Sequence, residues 1–145
     1  GFWFAGFGVA AVIVQLVLGR LSDRIGREPV IAMGLGLIAV ALMLLPMTQD
    51  WETTISIMAL YGIGFGVLFP AMTALLADET DVSSRGTASG IYTAVYSLGA
   101  AAGTGSAGVL VWLQQSAQIH PFQVAAVIVL VGLAWVGGEW LTHRK

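Results

Sequence analysis

Five long apolar runs, separated by short polar turns, constrain this chain more than any other feature. A helix needs about 20 predominantly apolar residues to cross the hydrocarbon core of a bilayer, and the stretches 1–18, 29–47, 53–77, 86–113 and 121–141 approach or exceed that length. A soluble five-helix bundle would need a polar face on every helix, and the second and fifth stretches have none. With 57% hydrophobic residues, 10% charged residues and a mean hydropathy of +0.87, bilayer is the expected solvent. The expected fold is therefore all-α: one polytopic membrane domain with five transmembrane helices. Start signals agree, because Pro29 and Pro121 fall where a first helical turn tolerates proline, and Asp50 and Ser84 stand at N-cap positions.

The placement of positive charge supplies an orientation. Arg20, Arg24, Arg27, Arg85, Arg144 and Lys145 lie in the first connection, the third connection and the C-terminal tail, whereas the connections 48–52 and 114–120 contain no lysine or arginine. Five crossings put those two sets on opposite faces, and the positive-inside rule makes the basic set cytoplasmic. The chain is then expected in the cell membrane, with its N-terminus outside and its C-terminus in the cytoplasm. Trp3, Trp51, Trp112 and Phe122 would form an outer aromatic belt, with Trp140 at the inner interface. The first run has neither a basic leader nor an initiating methionine, which reads as a piece of a longer protein.

Polar side chains are shared unequally among the five runs. The second has no side-chain hydrogen-bonding group between Val30 and Leu45, and the fifth has only Gln123 and Glu139 near its ends. The fourth carries Thr87, Ser89, Tyr92, Thr93, Tyr96, Ser97, Thr104 and Ser106. Because a polar group facing lipid is costly, spans two and five are expected at the periphery, and three and four facing inward.

The first connection has a distinctive spelling. Gly19-x-Leu21-Ser22-Asp23-Arg24-x-Gly26-Arg27 resembles the loop signature G-x-L-[AS]-D-R-x-G-R of the major facilitator superfamily, which joins helices two and three or eight and nine. A basic topology anchor alone explains the arginines but not Asp23 or the two glycines. Glu28 departs from the pattern, since the family usually has a second basic residue there. In the fourth run, Gly90, Gly99, Gly103 and Gly108 have the spacing of the family's antiporter motif, with Thr104 in place of proline and Ala107 in place of glycine. Physically this is a strip of small residues that lets another helix approach closely; plain packing and a role in alternating access both fit it. The third run, with Tyr61-Gly62-Ile63-Gly64-Phe65-Gly66 and a kink-prone Pro70, resembles helix ten. Where helix four of the antiporters has an arginine, this chain has Ile57, Met58 and Ala59, so helices eight to twelve fit better than two to six.

The resemblance implies most of one half of a twelve-helix, drug/proton antiporter-like carrier. Its activity would be secondary active transport of a small solute by alternating access, for example drug or metabolite efflux, with no enzymatic step and no cofactor. The implied partners are the lipid bilayer, the missing N-terminal half and a small-molecule substrate. Asp23, Arg24 and Arg27 would form a cytoplasmic conformational latch, with Gly19 and Gly26 allowing close backbone contact and Asp78, Glu79 and Arg85 as latch partners. Gln15, Tyr61, Tyr92, Thr93 and Tyr96 are candidate cavity-lining residues, although their polar groups would equally serve bonds between helices.

Other chemistries fit poorly. Gly103-Thr104-Gly105-Ser106-Ala107-Gly108 spells a dinucleotide fingerprint, but no strand precedes it and no acidic residue follows at the required distance. With no cysteine there is neither a disulfide nor a thiolate ligand or nucleophile. His120 and His143 fall on opposite membrane faces and cannot share a metal, and no basic patch suits nucleic acid. A permease subunit of a nucleotide-driven pump, or a non-transporting membrane scaffold, remains as an alternative; neither requires the Asp23 loop.

Overall fold

A computed structural model of the chain describes residues 2–18, 25–117 and 120–143. These residues are almost entirely helical. In chain order they form α1 (Phe2–Leu18), α2 (Arg27–Leu44), a 3-10 turn (Leu45–Met47), α3 (Trp51–Asp78), α4 (Arg85–Gly105), α5 (Ala107–Ala117) and α6 (Pro121–His143). Contacts divide the chain into two compact units, one containing 1–72 and 122–145 and the other 73–121.

Local chemistry accounts for the helix ends. Pro46 has no N–H to return to the carbonyl four residues back, so α2 closes in the 3-10 turn, where the Thr48 hydroxyl and amide both donate to Leu45 O, at 2.8 and 3.3 Å. Asp50 caps α3 as expected. Its carboxylate accepts from Thr53 N–H at 2.9 Å and from the Thr53 hydroxyl. These bonds, side chain first, hold the Asp50 pKa below its ordinary value of 3.8. Ser84 occupies the N-cap of α4, but its hydroxyl turns back to Asp81 O at 3.1 Å instead of capping the helix.

Among the described residues, four segments are long and apolar enough to cross a membrane: Arg27–Met47, Trp51–Asp78, Arg85–Trp112 and Pro121–Gly138. The first expected span is a shorter apolar helix over Ala5–Leu16. The fourth expected span is not one uninterrupted helix. It breaks at Ser106, between α4 and α5, within a run of two glycines and two hydroxyl residues. Thr104 Oγ1 donates to Ala100 O at 2.8 Å and Ala101 O at 3.1 Å, and Ser106 Oγ donates to Gly103 O at 2.9 Å. Such back-bonding loosens the ladder where glycine already costs helix stability.

The first unit is packed through small residues. Its buried positions include Ala11, Ala39, Ala41, Ala71 and Ala126 with Val14, Val30, Ile31, Ile38 and Val67. Large apolar side chains point outward instead, among them Leu16 (82% exposed) and Trp135 (72%). This inversion suits a bundle solvated by lipid, where close backbone approach replaces hydrophobic collapse as the source of packing energy. The expectation that α2 is peripheral holds for one face only. Met33 and Val40 are exposed, while Val30, Ile31, Gly34, Ile38, Ala39 and Ala41 are buried. The polar helix α4, expected to face inward, has no buried residue within this chain.

Candidate transport-path face

The structural centre of the first unit is α3 held between α1 and α2. Gly62 and Gly66, one turn apart, lie against the backbone of α1: a Cβ at Gly62 would come within 2.3 Å of Phe7 O, and one at Gly66 within 2.7 Å of Ala11 O. Gly64 faces the other way, where a Cβ would meet Ile38 Cγ1 at 2.9 Å and Gly34 O at 3.0 Å. Gly34 answers it, with Leu68 Cβ at 2.9 Å and Gly64 O at 3.0 Å from its own imagined Cβ. The alternating glycines therefore serve two neighbours. Since successive residues turn by about 100°, Gly62 and Gly66 share one side of α3 and Gly64 lies opposite.

Between those two contact sides runs a row of aromatic rings. Tyr61, Phe65 and Phe69 are four residues apart and so occupy one flank of α3. Phe7 of α1 joins them, with ring centroids 5.4 Å from Tyr61 and 5.6 Å from Phe65, both tilted. Phe65 and Phe69 stack at 5.7 Å and 20°. Phe7, Tyr61 and Phe65 are half-buried and Phe69 is exposed, so the row offers ring surface at separations typical of favourable aromatic pairs. Sequence reasoning picked out Tyr61 but not Phe7, Phe65 or Phe69. The four-residue spacing of the aromatics was the available signal.

The other expected site residues are distributed as follows. Gln15 is half-buried on α1. Tyr92, Thr93 and Tyr96 stand on α4, in the second unit, and the Thr93 hydroxyl is engaged by Ser89 O at 2.9 Å. A Cβ at Gly90, Gly99, Gly103 or Gly108 meets nothing within 4 Å, and among the described residues the close helix contacts are made at Gly34, Gly62, Gly64 and Gly66, with Gly6 nearer than usual to Ile55. Asp78 and Glu79 lie exposed at the end of α3, and Arg85 opens α4.

Of the signature loop, Gly19, Asp23 and Arg24 lie outside the described residues. Gly26 is within them, with φ 103° and ψ 157° at the N-cap of α2, a conformation essentially restricted to glycine. The space around it is ordinary, with Pro29 Cδ at 3.7 Å from a would-be Cβ. Glycine is needed here for its dihedrals rather than for the close contact expected from the loop signature. Arg27 begins α2 and is half-buried.

Comparison with known proteins agrees with this architecture. The Major Facilitator Superfamily profile matches residues 1–143. Multidrug resistance protein 1 of Bacillus subtilis is 32% identical over 134 residues, covering 90% of this chain and 33% of that protein. The triacylglyceride transporter of Mycolicibacterium smegmatis is 32% identical over 108 residues, covering 74% of this chain and 19% of that protein. Quinolone resistance protein NorA of Staphylococcus aureus is 23% identical over 143 residues, covering 99% of this chain and 36% of that protein. The chain thus spans about a third or less of the length of these relatives. No solved structure gives a significant match. A glycine-packed helical bundle with apolar residues outside, matched along nearly its whole length, makes this multi-pass membrane chain a member of the major facilitator superfamily.

Proposed function

We propose that this chain is most of the C-terminal half, helices eight to twelve, of a secondary transporter that exports small amphiphilic or aromatic solutes by alternating access. The observation that carries the reading is the aromatic flank of Tyr61, Phe65, Phe69 and Phe7, set on a helix whose two adjoining sides are locked by glycine contacts. Rigid, partly exposed rings held at fixed spacing give flat solutes stacking surface and give lipophilic cations a π-face, an attraction of about 0.5–2 kcal/mol per ring. The names of two relatives, for multidrug and quinolone resistance, support this solute class. The N-terminal half would supply the opposite wall of the path and the coupling carboxylate. The basic connections would face the cytoplasm, and Asp23, Arg24 and Arg27 would bias the equilibrium between the two access states.

The test uses the full-length transporter in proteoliposomes with an imposed pH gradient and a fluorescent lipophilic cation as solute. Gradient-dependent movement is expected for the wild type, with a raised KM in Tyr61→Ala and Phe65→Ala. Wild-type kinetics in both variants would remove the aromatic flank from the path, and no gradient-dependent movement of any solute in a screen would remove the transport reading.

A further inference from the structure

One residue joins the glycine seam to the aromatic row. Phe7 is half-buried, although Val9, Val12, Ile13 and Leu16 on the same helix are exposed. Its backbone is pinned on α3, since a Cβ at Gly62 would stand 2.3 Å from Phe7 O and 3.1 Å from Phe7 Cα. The preceding residue is close to α3 as well, with Ile55 Cγ2 only 3.2 Å from a Cβ placed on Gly6. A ring carried on so fixed a backbone has few places to go. It lies against Tyr61 with 41° between the planes and against Phe65 with 58°, the tilted arrangement in which ring pairs attract. Phe65 in turn stacks on Phe69. Tyr61 and Phe65 belong to one helix, and the ring that touches both of them comes from another.

That placement decides how freely the row can move. An aromatic side chain on an open helix flank can turn about χ1 and χ2 among several wells, and each choice given up when a solute arrives weakens its binding. A ring wedged beside both Tyr61 and Phe65 removes those choices in advance. Rigid planar solutes profit from this, because they need neighbouring ring faces already held at set angles. Solutes with splayed rings gain little, since rings that can turn meet them as well as fixed ones do. We propose that Phe7 is a positioning residue that sets specificity, holding Tyr61 and Phe65 in the orientation that favours rigid planar aromatic cations over splayed ones. Its role rests on the aromatic flank lining the transport path, as proposed above.

The test compares KM for ethidium, which is rigid and planar, with KM for tetraphenylphosphonium, whose rings are splayed about phosphorus, using the full-length transporter in proteoliposomes. Phe7→Leu keeps an apolar side chain and leaves the seam at Gly62 intact, because that contact is to backbone. It should raise KM for ethidium about fivefold, the ordering cost of one or two freed rings, and change KM for tetraphenylphosphonium by less than about twofold. Phe7→Tyr keeps the ring and should keep the wild-type ratio of the two KM values. Gly62→Ala removes no ring but pushes the Phe7 backbone away, and should shift the ratio in the same direction as Phe7→Leu. Loss of folded transporter lowers the maximal rate for both cations and leaves the ratio untouched, so a merely structural role reads differently. A wild-type ratio in Phe7→Leu or in Gly62→Ala, or an equal rise in KM for both cations as direct contact with solute would give, overturns the assignment even where Tyr61→Ala and Phe65→Ala raise KM. If those two variants also keep wild-type kinetics, the aromatic flank itself leaves the path and the role of Phe7 goes with it.

Discussion

Replacing Gly62 by alanine tests the packing of α3 most directly. The added methyl would stand 2.3 Å from Phe7 O and 3.1 Å from both Phe7 C and Phe7 Cα. All three are backbone atoms, so no rotamer change relieves the contact. Restoring a 3.4 Å separation requires α1 to retreat by about 1 Å, enough to forfeit a quarter to a half of the dispersion energy along the seam. Overpacking of this kind costs about 1–3 kcal/mol, and the backbone clash puts Gly62 at the upper end. Better helix propensity of alanine returns about 0.5–1 kcal/mol, leaving a net loss of about 2 kcal/mol. Gly36 is the control, because a Cβ there meets nothing within 4 Å. Gly36→Ala should gain about 0.5–1 kcal/mol from propensity alone. Reversible unfolding of the full-length transporter in mixed micelles, followed by tryptophan fluorescence, should therefore separate the two variants by roughly 3 kcal/mol. If they unfold within about 0.5 kcal/mol of each other, the difference expected at unremarkable surface sites, α1 and α3 do not meet at Gly62 and the glycine argument fails.

Three further outcomes follow from the same structure. Gly64→Ala should destabilise by about 1–2 kcal/mol and recover in part when combined with Ile38→Ala, because one of its near contacts is the movable Ile38 Cγ1 while Gly34 O is fixed; an additive double variant in the same unfolding assay would count against direct contact. Gly26→Ala should cost about 1–3 kcal/mol from its positive φ alone, and because the space is open Gly26→Leu should cost little more; a much larger loss in the leucine variant would point to crowding instead. The Asp50 carboxyl should titrate below 3.8 by carbon NMR and rise toward that value in Thr53→Val. Its contribution to the α3 cap is present above the ordinary carboxylate pKa and lost as pH falls through the lowered one, so acid fraying of the 48–53 turn should begin at a higher pH in the variant.

Much of this architecture is legible in the sequence because bilayer-spanning length acts on whole segments. Pro46, Asp50 and Pro121 mark their helix ends through the donor they lack or the acceptor they supply, and each acts within a few residues of itself. The α4–α5 break was less visible. Proline was missing from the expected motif, and the interruption comes from glycines and back-bonding hydroxyls, which disturb a helix without forbidding it. The choice of packing glycines turned on partners that periodicity cannot name. Gly99 and Gly103 have the same four-residue spacing as Gly62 and Gly66, yet only the second pair has a helix backbone against it in this chain. The aromatic row was obscured for a similar reason. Phe65 and Phe69 read as ordinary apolar residues of a span until Phe7 is brought to them from α1.

The hydroxyls of α4 bear on how such a helix can serve in a moving protein. Thr93, Thr104 and Ser106 each donate to a carbonyl of their own helix, at 2.9, 2.8 and 2.9 Å. Their polarity is therefore satisfied without a neighbour, and unsatisfied groups are what make irregular or polar helices expensive in lipid. If those bonds had run to another helix, each displacement of α4 would have had to break them. Where the bonds are kept inside the helix, as at Thr93 and Thr104, a change of neighbour does not break them, and the small residues along α4 keep dispersion contacts shallow. Alternating access needs one set of contacts that stays fixed and another that exchanges. In the reading proposed above, the glycine-locked trio of α1, α2 and α3 would be the first set, and α4, which has no buried residue within this chain, the second.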